Sequence, residues 1–208
     1  MTSRLPDAYF DRMYVEAEDP WRLATRWYER RKYAITLALL PRQRYRHAFE
    51  PGCSIGTLTA RLAERCERVT AADVAEAALR GAGARRRGGG ARDRVTLLRA
   101  SLDAAWPDGP FDLLVLSEVG YYLQAEALGA TLRRECPRLL PGATVVAAHW
   151  RHDVADYPLT GDEAHAVIAA TPGLTRVGCY RDDDVVIEVF DTGDGRSVAA
   201  REDVPGAC

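Results

Sequence analysis

Glu50, Gly52, Cys53, Ser54 and Gly56 stand together in one short stretch, FEPGCSIGTL (49–58). Two glycines bracketing small residues suit a turn whose backbone approaches a ligand closely. Glycine accepts positive φ and lacks the side chain that would block the approach. A dinucleotide wants G-x-G-x-x-G, so that its pyrophosphate meets a helix N-terminus, but position 54 is serine. A P-loop wants Gly-Lys-Ser/Thr, and this stretch has no lysine. The turn is therefore poorly made for phosphates. A further acid, Asp73, follows about twenty residues after Gly52, the spacing at which a carboxylate accepts hydrogen bonds from ribose hydroxyls. A ribose site without a phosphate site describes S-adenosylmethionine (SAM), whose sulfonium charge Glu50 would favour. Two other readings fit the same residues: a structural corner with Asp73 capping the next helix, and a different nucleotide.

The elements around these residues alternate. The spacing predicts a long helix after Asp19-Pro20, halted by Pro41, with Trp21, Ala24, Tyr28, Ile35 and Leu39 on its apolar side. Strands are predicted at 46–50, 68–74, 95–100, 111–117 and 143–150, and an antiparallel pair at 174–180 and 184–190. Helices are predicted at 55–66, 75–86, 125–140 and 161–170, the third interrupted by Pro137. The run FDLLVLS (111–117) is nearly all apolar, as in a central strand buried on both faces. Such alternation implies an α/β fold: a doubly wound, mostly parallel sheet with helices on both faces and an antiparallel strand at one edge. Gly52 and Gly56 then occupy the first strand-turn-helix corner, beyond the carboxyl end of a strand, where such sheets bind ligands. The expected division is 1–42 as an N-terminal helical lid, 43–191 as the binding domain and 192–208 as a loose polar tail.

Composition excludes several partners. With 208 residues, 47% of them apolar, the chain can bury a substantial core. A net charge of −2 provides no field for nucleic acid. The basic run 84–94 is broken by glycines and suits a surface loop. The five cysteines are scattered without a CxxC pair, as expected of reduced thiols in a cytoplasmic protein without a metal site. The polar N-terminus resembles no signal peptide, and no apolar run is long enough for a bilayer.

FEPGCSIGTLTARLAERC, FDLLVLSEVGYYL, LLPGATVVAAHWRH and DYPLTGDEAH, with the N-terminal YFDRMY, DPWR and WYERRKYA, closely resemble class I SAM-dependent methyltransferases. More narrowly they are similar to the nodulation protein S (NodS-like) family, from about Tyr9 to His165. The resemblance implies a seven-stranded methyltransferase sheet and methyl transfer to the free amine of an amino sugar. It makes Glu50, Gly52, Cys53 and Gly56 the glycine-turn motif and Asp73, followed by Val74, the ribose position. It sets Ser101 and Leu102 beside adenine, and Ser117 and Glu118 beside the methionine moiety. Where this chain has Ser101, related enzymes often carry an acid. The RRRGGG loop also departs from the usual helix end.

Methyl transfer from a sulfonium mainly requires that the acceptor be positioned. An alkyl amine, with a pKa near ~10, must also lose a proton. On this basis Glu118 is expected to orient the amine and His149 to accept its proton. Tyr121, Tyr122, Trp150, His152, Asp156 and Tyr157 are the expected acceptor-pocket residues. Arg31, near Tyr28 and Lys32 on the lid helix, is expected to pair with the methionine carboxylate. The acceptor would be a chitosan-like fragment or an aminoglycoside-type metabolite. The rival expectations are an O-methyltransferase and a SAM-binding protein without catalysis.

Overall fold

Each predicted strand is present, within a residue or two at its ends. In the computed structural model, which describes residues 4–88 and 93–207 and the side chains of all but 86–88, they form one seven-stranded sheet. The strands are β1 (Tyr45–Pro51), β2 (Cys66–Asp73), β3 (Val95–Arg99), β4 (Leu113–Ser117), β5 (Thr144–Trp150), β6 (Thr175–Arg181) and β7 (Val185–Asp191). Their order is β3-β2-β1-β4-β5-β7-β6. β7 runs antiparallel to both neighbours. The antiparallel strand therefore lies between β5 and β6 rather than on the edge, as expected from sequence. β6 takes the edge, and its mostly exposed residues contrast with a fully buried β7. The apolar run in β4 explains its central place. Leu113 and Val115 belong to one core cluster, and Leu114 and Leu116 to the cluster on the other face.

Helices α3 (Thr57–Arg65), α4 (Glu76–Gly88), α5 (Ala125–Glu135) and α6 (Gly161–Ala169) cover the sheet. α5 ends where Pro137 enters a short 3₁₀ turn. Of the basic run, 84–88 continues α4 and 89–92 lies outside the described residues. No helix among the described residues is long and apolar enough to cross a membrane.

The N-terminal region departs most from expectation. The single helix after Asp19 does not form. Asp19 instead accepts from the Leu23 and Ala24 amides at 2.8 and 3.0 Å, closing a local turn, and Arg22 turns left-handed at φ 57°. The regular helix α2 starts only at Trp27 and ends at Leu39. The preceding residues form a further helix, α1 (Asp7–Glu16), which buries Tyr14. The tail expected to be loose also has structure. Asp191 accepts from the Gly193 and Gly195 amides, each at 3.0 Å, and from Arg201 at 2.7 Å. These bonds draw a short helix, α7 (Val198–Arg201), onto the domain, and its Ala200 is buried.

Candidate active site

β1 pairs with β2 on one side and β4 on the other, so the chain order reverses at β1. Doubly wound sheets open a crevice at such a point, beyond the carboxyl ends of the strands. Here the crevice is a cavity of about 550 Å³. Its floor is the turn after β1. Gly52 (φ 74°), Ser54 (φ 50°) and Gly56 (φ 73°) are all left-handed. A Cβ on Gly52 would lie 3.0 Å from Val119, so glycine is required by space as well as by φ. Gly56 serves packing instead: it starts α3, and a Cβ there would meet Ala82 at 2.9 Å. Gly56 does not line the cavity.

Asp73 ties the first two corners together. Its carboxylate accepts from the Ser54 amide at 2.8 Å and the Ala75 amide at 2.9 Å. It therefore closes the turn that leads into α4 rather than capping the helix itself, and it also lines the cavity. A carboxylate has about four acceptor positions, so capacity remains for hydroxyls. Burial raises its pKa, while the Ala75 and Ser54 amides work against that shift. Glu50, also lining the cavity, accepts from Thr59 at 2.6 Å. Burial pushes its pKa up to about 8; the Thr59 bond opposes the rise and Asp73 adds to it. Cys53, Val74, Ser101, Leu102 and Ser117 line the same cavity, and the Ser101 hydroxyl donates to Asp103. Phe10, Tyr14 and Trp21 cover it from the N-terminal side, with the Tyr14 and Ser54 hydroxyls hydrogen-bonded.

The opposite half of the cavity is built around the only lysine of the chain. Lys32 Nζ lies 2.6 Å from Glu118 Oε1 and 2.8 Å from Glu29 Oε2. The Glu29 contact is an ion pair without hydrogen-bond geometry. Burial alone would depress the Lys32 ammonium; Glu118 and Glu29 outweigh it and raise the pKa. Burial raises Glu29, against the pull of Lys32. Glu118 itself is left-handed (φ 56°) and heavily held, with Tyr121 Oη donating to Oε2 and the Trp150 amide doing so at 3.0 Å. Aromatic rings enclose the group. Tyr121 stacks on Tyr157 at 4.9 Å, Tyr122 sits edge-on to both, and Tyr28 meets Trp150 at 5.3 Å. The Tyr28 hydroxyl is buried without a hydrogen-bond partner among the described residues.

Several expected site residues are elsewhere. His149 is fully buried. Its Nε2 accepts from the Gly120 amide at 2.9 Å and its Nδ1 meets His165 at 3.1 Å, so neither nitrogen is free to take a proton from a substrate. Burial, then His165 and Lys32, hold its pKa well below the usual histidine value. Arg31 points away from the cavity, donating to Asp182 at 2.9 Å and to Tyr180. Its neighbour Lys32, one residue on, takes the inward face. His152 pairs with Asp184 at 2.8 Å, and neither His152 nor Asp156 lines the cavity. Glu29 and Arg26, which do, were missed, and Lys32, which also does, was passed over in favour of Arg31. The one available signal was a solitary lysine three residues after a glutamate on a helix.

The sequence profile of the Nodulation protein S (NodS) family matches residues 9–172. The chain belongs to the nodulation protein S family. It is 31% identical over 142 residues to Nodulation protein S of Bradyrhizobium diazoefficiens, covering 67% of this chain and 66% of that protein. Against Nodulation protein S of Rhizobium tropici it is 33% identical over 129 residues, covering 59% and 53%. The matched part thus spans between about half and two thirds of these curated relatives. The crystal structure of N-methyltransferase NodS from Bradyrhizobium japonicum WM9 with S-adenosyl-L-homocysteine has the same fold: TM-score 0.77, 24% identity, 89% of this chain and 97% of that one. NodS proteins are class I SAM-dependent methyltransferases, and SAM is their methyl donor. The residues present fit that donor. Asp73 lines the cavity with acceptor capacity to spare, glycine at position 52 leaves the floor without a side chain, and Glu50 and Glu118 are among the lining groups.

Proposed function

We propose that this chain transfers the methyl group of SAM to the free amine of an amino sugar, a chitosan-like fragment or an aminoglycoside-type metabolite. The carrying observation is the pair of carboxylates, Glu29 and Glu118, set around one ammonium in an aromatic-walled cavity. Two negative charges against one leave the acceptor half attractive to a cation, and the flat rings suit sugar faces and cationic groups. When bound, SAM supplies a methyl group already activated by its sulfonium. The protein's part is to orient the nitrogen and to receive its proton. Glu118 orients the acceptor through its fixed turn. Glu29, whose pKa burial already raises, takes the proton role expected of His149. Tyr28, Tyr121, Tyr157 and Trp150 shape the acceptor pocket.

In the same reading, residues 1–42 act as a lid, supported by the contacts of Phe10, Tyr14 and Trp21 with the cavity. Arg26, which lines the cavity and has no ion pair among the described residues, takes the methionine carboxylate in place of Arg31. The free thiols of Cys53, Cys66, Cys136 and Cys179 support a cytoplasmic setting. The test is turnover of SAM with glucosamine and chitosan fragments against their N-acetylated forms. Methylation confined to the free amines is expected. Transfer to the acetylated forms would mean an oxygen acceptor, and no transfer with bound SAM would leave a binding protein.

A further inference from the structure

A buried hydrogen-bonded chain leads away from the acceptor half of the cavity. The Gly120 amide donates to His149 Nε2 at 2.9 Å. His149 Nδ1 lies 3.1 Å from His165 Nε2, and His165 Nδ1 lies 2.7 Å from Glu188 Oε2. Arg176 donates to Glu188 Oε1 at 2.6 Å and reaches the surface. His149, His165 and Glu188 are 0%, 4% and 6% exposed.

Proton positions follow from the first link. A main-chain amide can only donate, so His149 Nε2 is an acceptor and its proton sits on Nδ1. That proton is donated to His165 Nε2, and His165 carries its own on Nδ1, facing Glu188. This pattern leaves no member of the chain unsatisfied. The chain does not touch the cavity, yet it grips the turn that makes it. Glu118 is a non-glycine residue in the left-handed region, a strained conformation that persists only where the surroundings over-determine it. Its amide donates to Ala148 at 2.8 Å, and two residues later the Gly120 amide is held by His149. The fit is close: a Cβ on Gly120 would lie 2.9 Å from His149 Nε2.

We infer that His149, His165 and Glu188 are positioning residues for methyl transfer. They fix the Gly120 amide and through it the Glu118 turn that faces the acceptor. The inference rests on the reading of Glu118 as an acceptor-side group.

The test compares wild type with His149→Leu and His149→Gln. Leucine removes the acceptor for the Gly120 amide; glutamine can return one at the same reach. His149→Leu should lower kcat/KM for the amine acceptor by about tenfold, the effect of one buried amide left unpaired, with SAM Kd changed by less than about threefold. His149→Gln should recover most of the loss. A folded leucine variant with wild-type kcat/KM, equal impairment of both variants, or a parallel loss of SAM affinity would overturn the inference. Nitrogen-15 NMR of the wild-type side chains needs no acceptor and separates this inference from the substrate reading. Both rings should be neutral with the proton on Nδ1. A proton on Nε2 of His149 would overturn the assignment even if the leucine variant did not fold or no acceptor were turned over.

Discussion

Replacing Lys32 with methionine keeps the stem that fills the space and removes the ammonium between Glu29 and Glu118. The Lys32 side chain is 2% exposed and Glu29 is 7% exposed, while Glu118 retains 21%. Taking one partner from a buried ionic group costs about 3–5 kcal/mol. Two features favour the lower end. Glu118 keeps its bonds from Tyr121 and the Trp150 amide, and Glu29, already raised by burial, can take up a proton. We expect about 3 kcal/mol near pH 8, roughly 6–12 °C in Tm at this chain length. The pH dependence has a definite sign. Without Lys32 the Glu29 pKa rises further, so the folded variant holds a proton that the unfolded chain releases above about 4.3. The variant therefore loses stability as pH rises from that value. In wild type the raised Lys32 pKa makes its contribution complete below about 10.4, lost only above its folded value. The gap should be small near pH 5 and wide near pH 8. Urea denaturation followed by circular dichroism at both pH values measures it. Equal midpoints near pH 8, or a wider gap near pH 5, would refute the ionised cluster. Lys32→Met combined with Glu118→Gln should regain part of the loss, because one stranded charge is gone.

Other consequences are open to direct measurement. Glu50, with a pKa pushed up to about 8, holds a proton in the empty site at neutral pH. SAM affinity should therefore climb with pH until about 8 and then level off, more steeply than that of S-adenosylhomocysteine, whose sulfur carries no charge; calorimetry of Glu50→Gln should show the excess slope gone. Gly52→Ala places a Cβ 3.0 Å from Val119 at φ 74°, so a stability loss of about 1–2 kcal/mol and weaker SAM binding are expected, read by thermal melts and titration. Removing residues 1–17 takes away Phe10 and the Tyr14–Ser54 bond. Faster SAM dissociation in stopped-flow, with the remaining domain still folded, is the expected result.

Most of the sheet was legible because its signals are local. The alternation of strand and helix patterns, the apolar run of β4 and the glycines of the first corner each act within a few residues. Asp73 was legible for the same reason, since its place at the end of β2 sets both its bond to the Ala75 amide and its position on the cavity wall. The insertion of β7 between β5 and β6 was not, because strand order depends on pairing across the sheet rather than on either strand's own pattern. Asp19 and Pro20 carried a helix-start signal, but the amides that Asp19 accepts from, those of Leu23 and Ala24, belong to a single turn. His149 illustrates the same limit at the site. Its place near the carboxyl end of β5 was legible, but its partners, the Gly120 amide and His165, lie on other elements, and they occupy both ring nitrogens. For Arg31 and Lys32, adjacent on one helix, one residue of rotation separates a surface ion pair with Asp182 from the centre of the cavity.

Isothermal titration of the folded protein with SAM, run beside Asp73→Ala, tests the account most directly. Wild type should bind one molecule per chain saturably. The variant should lose most of the affinity while keeping a cooperative melt at a lower midpoint, since the buried Ser54 and Ala75 amides lose their acceptor. Folded wild-type protein that gives no binding heat, or Asp73→Ala binding as tightly as wild type, would contradict it.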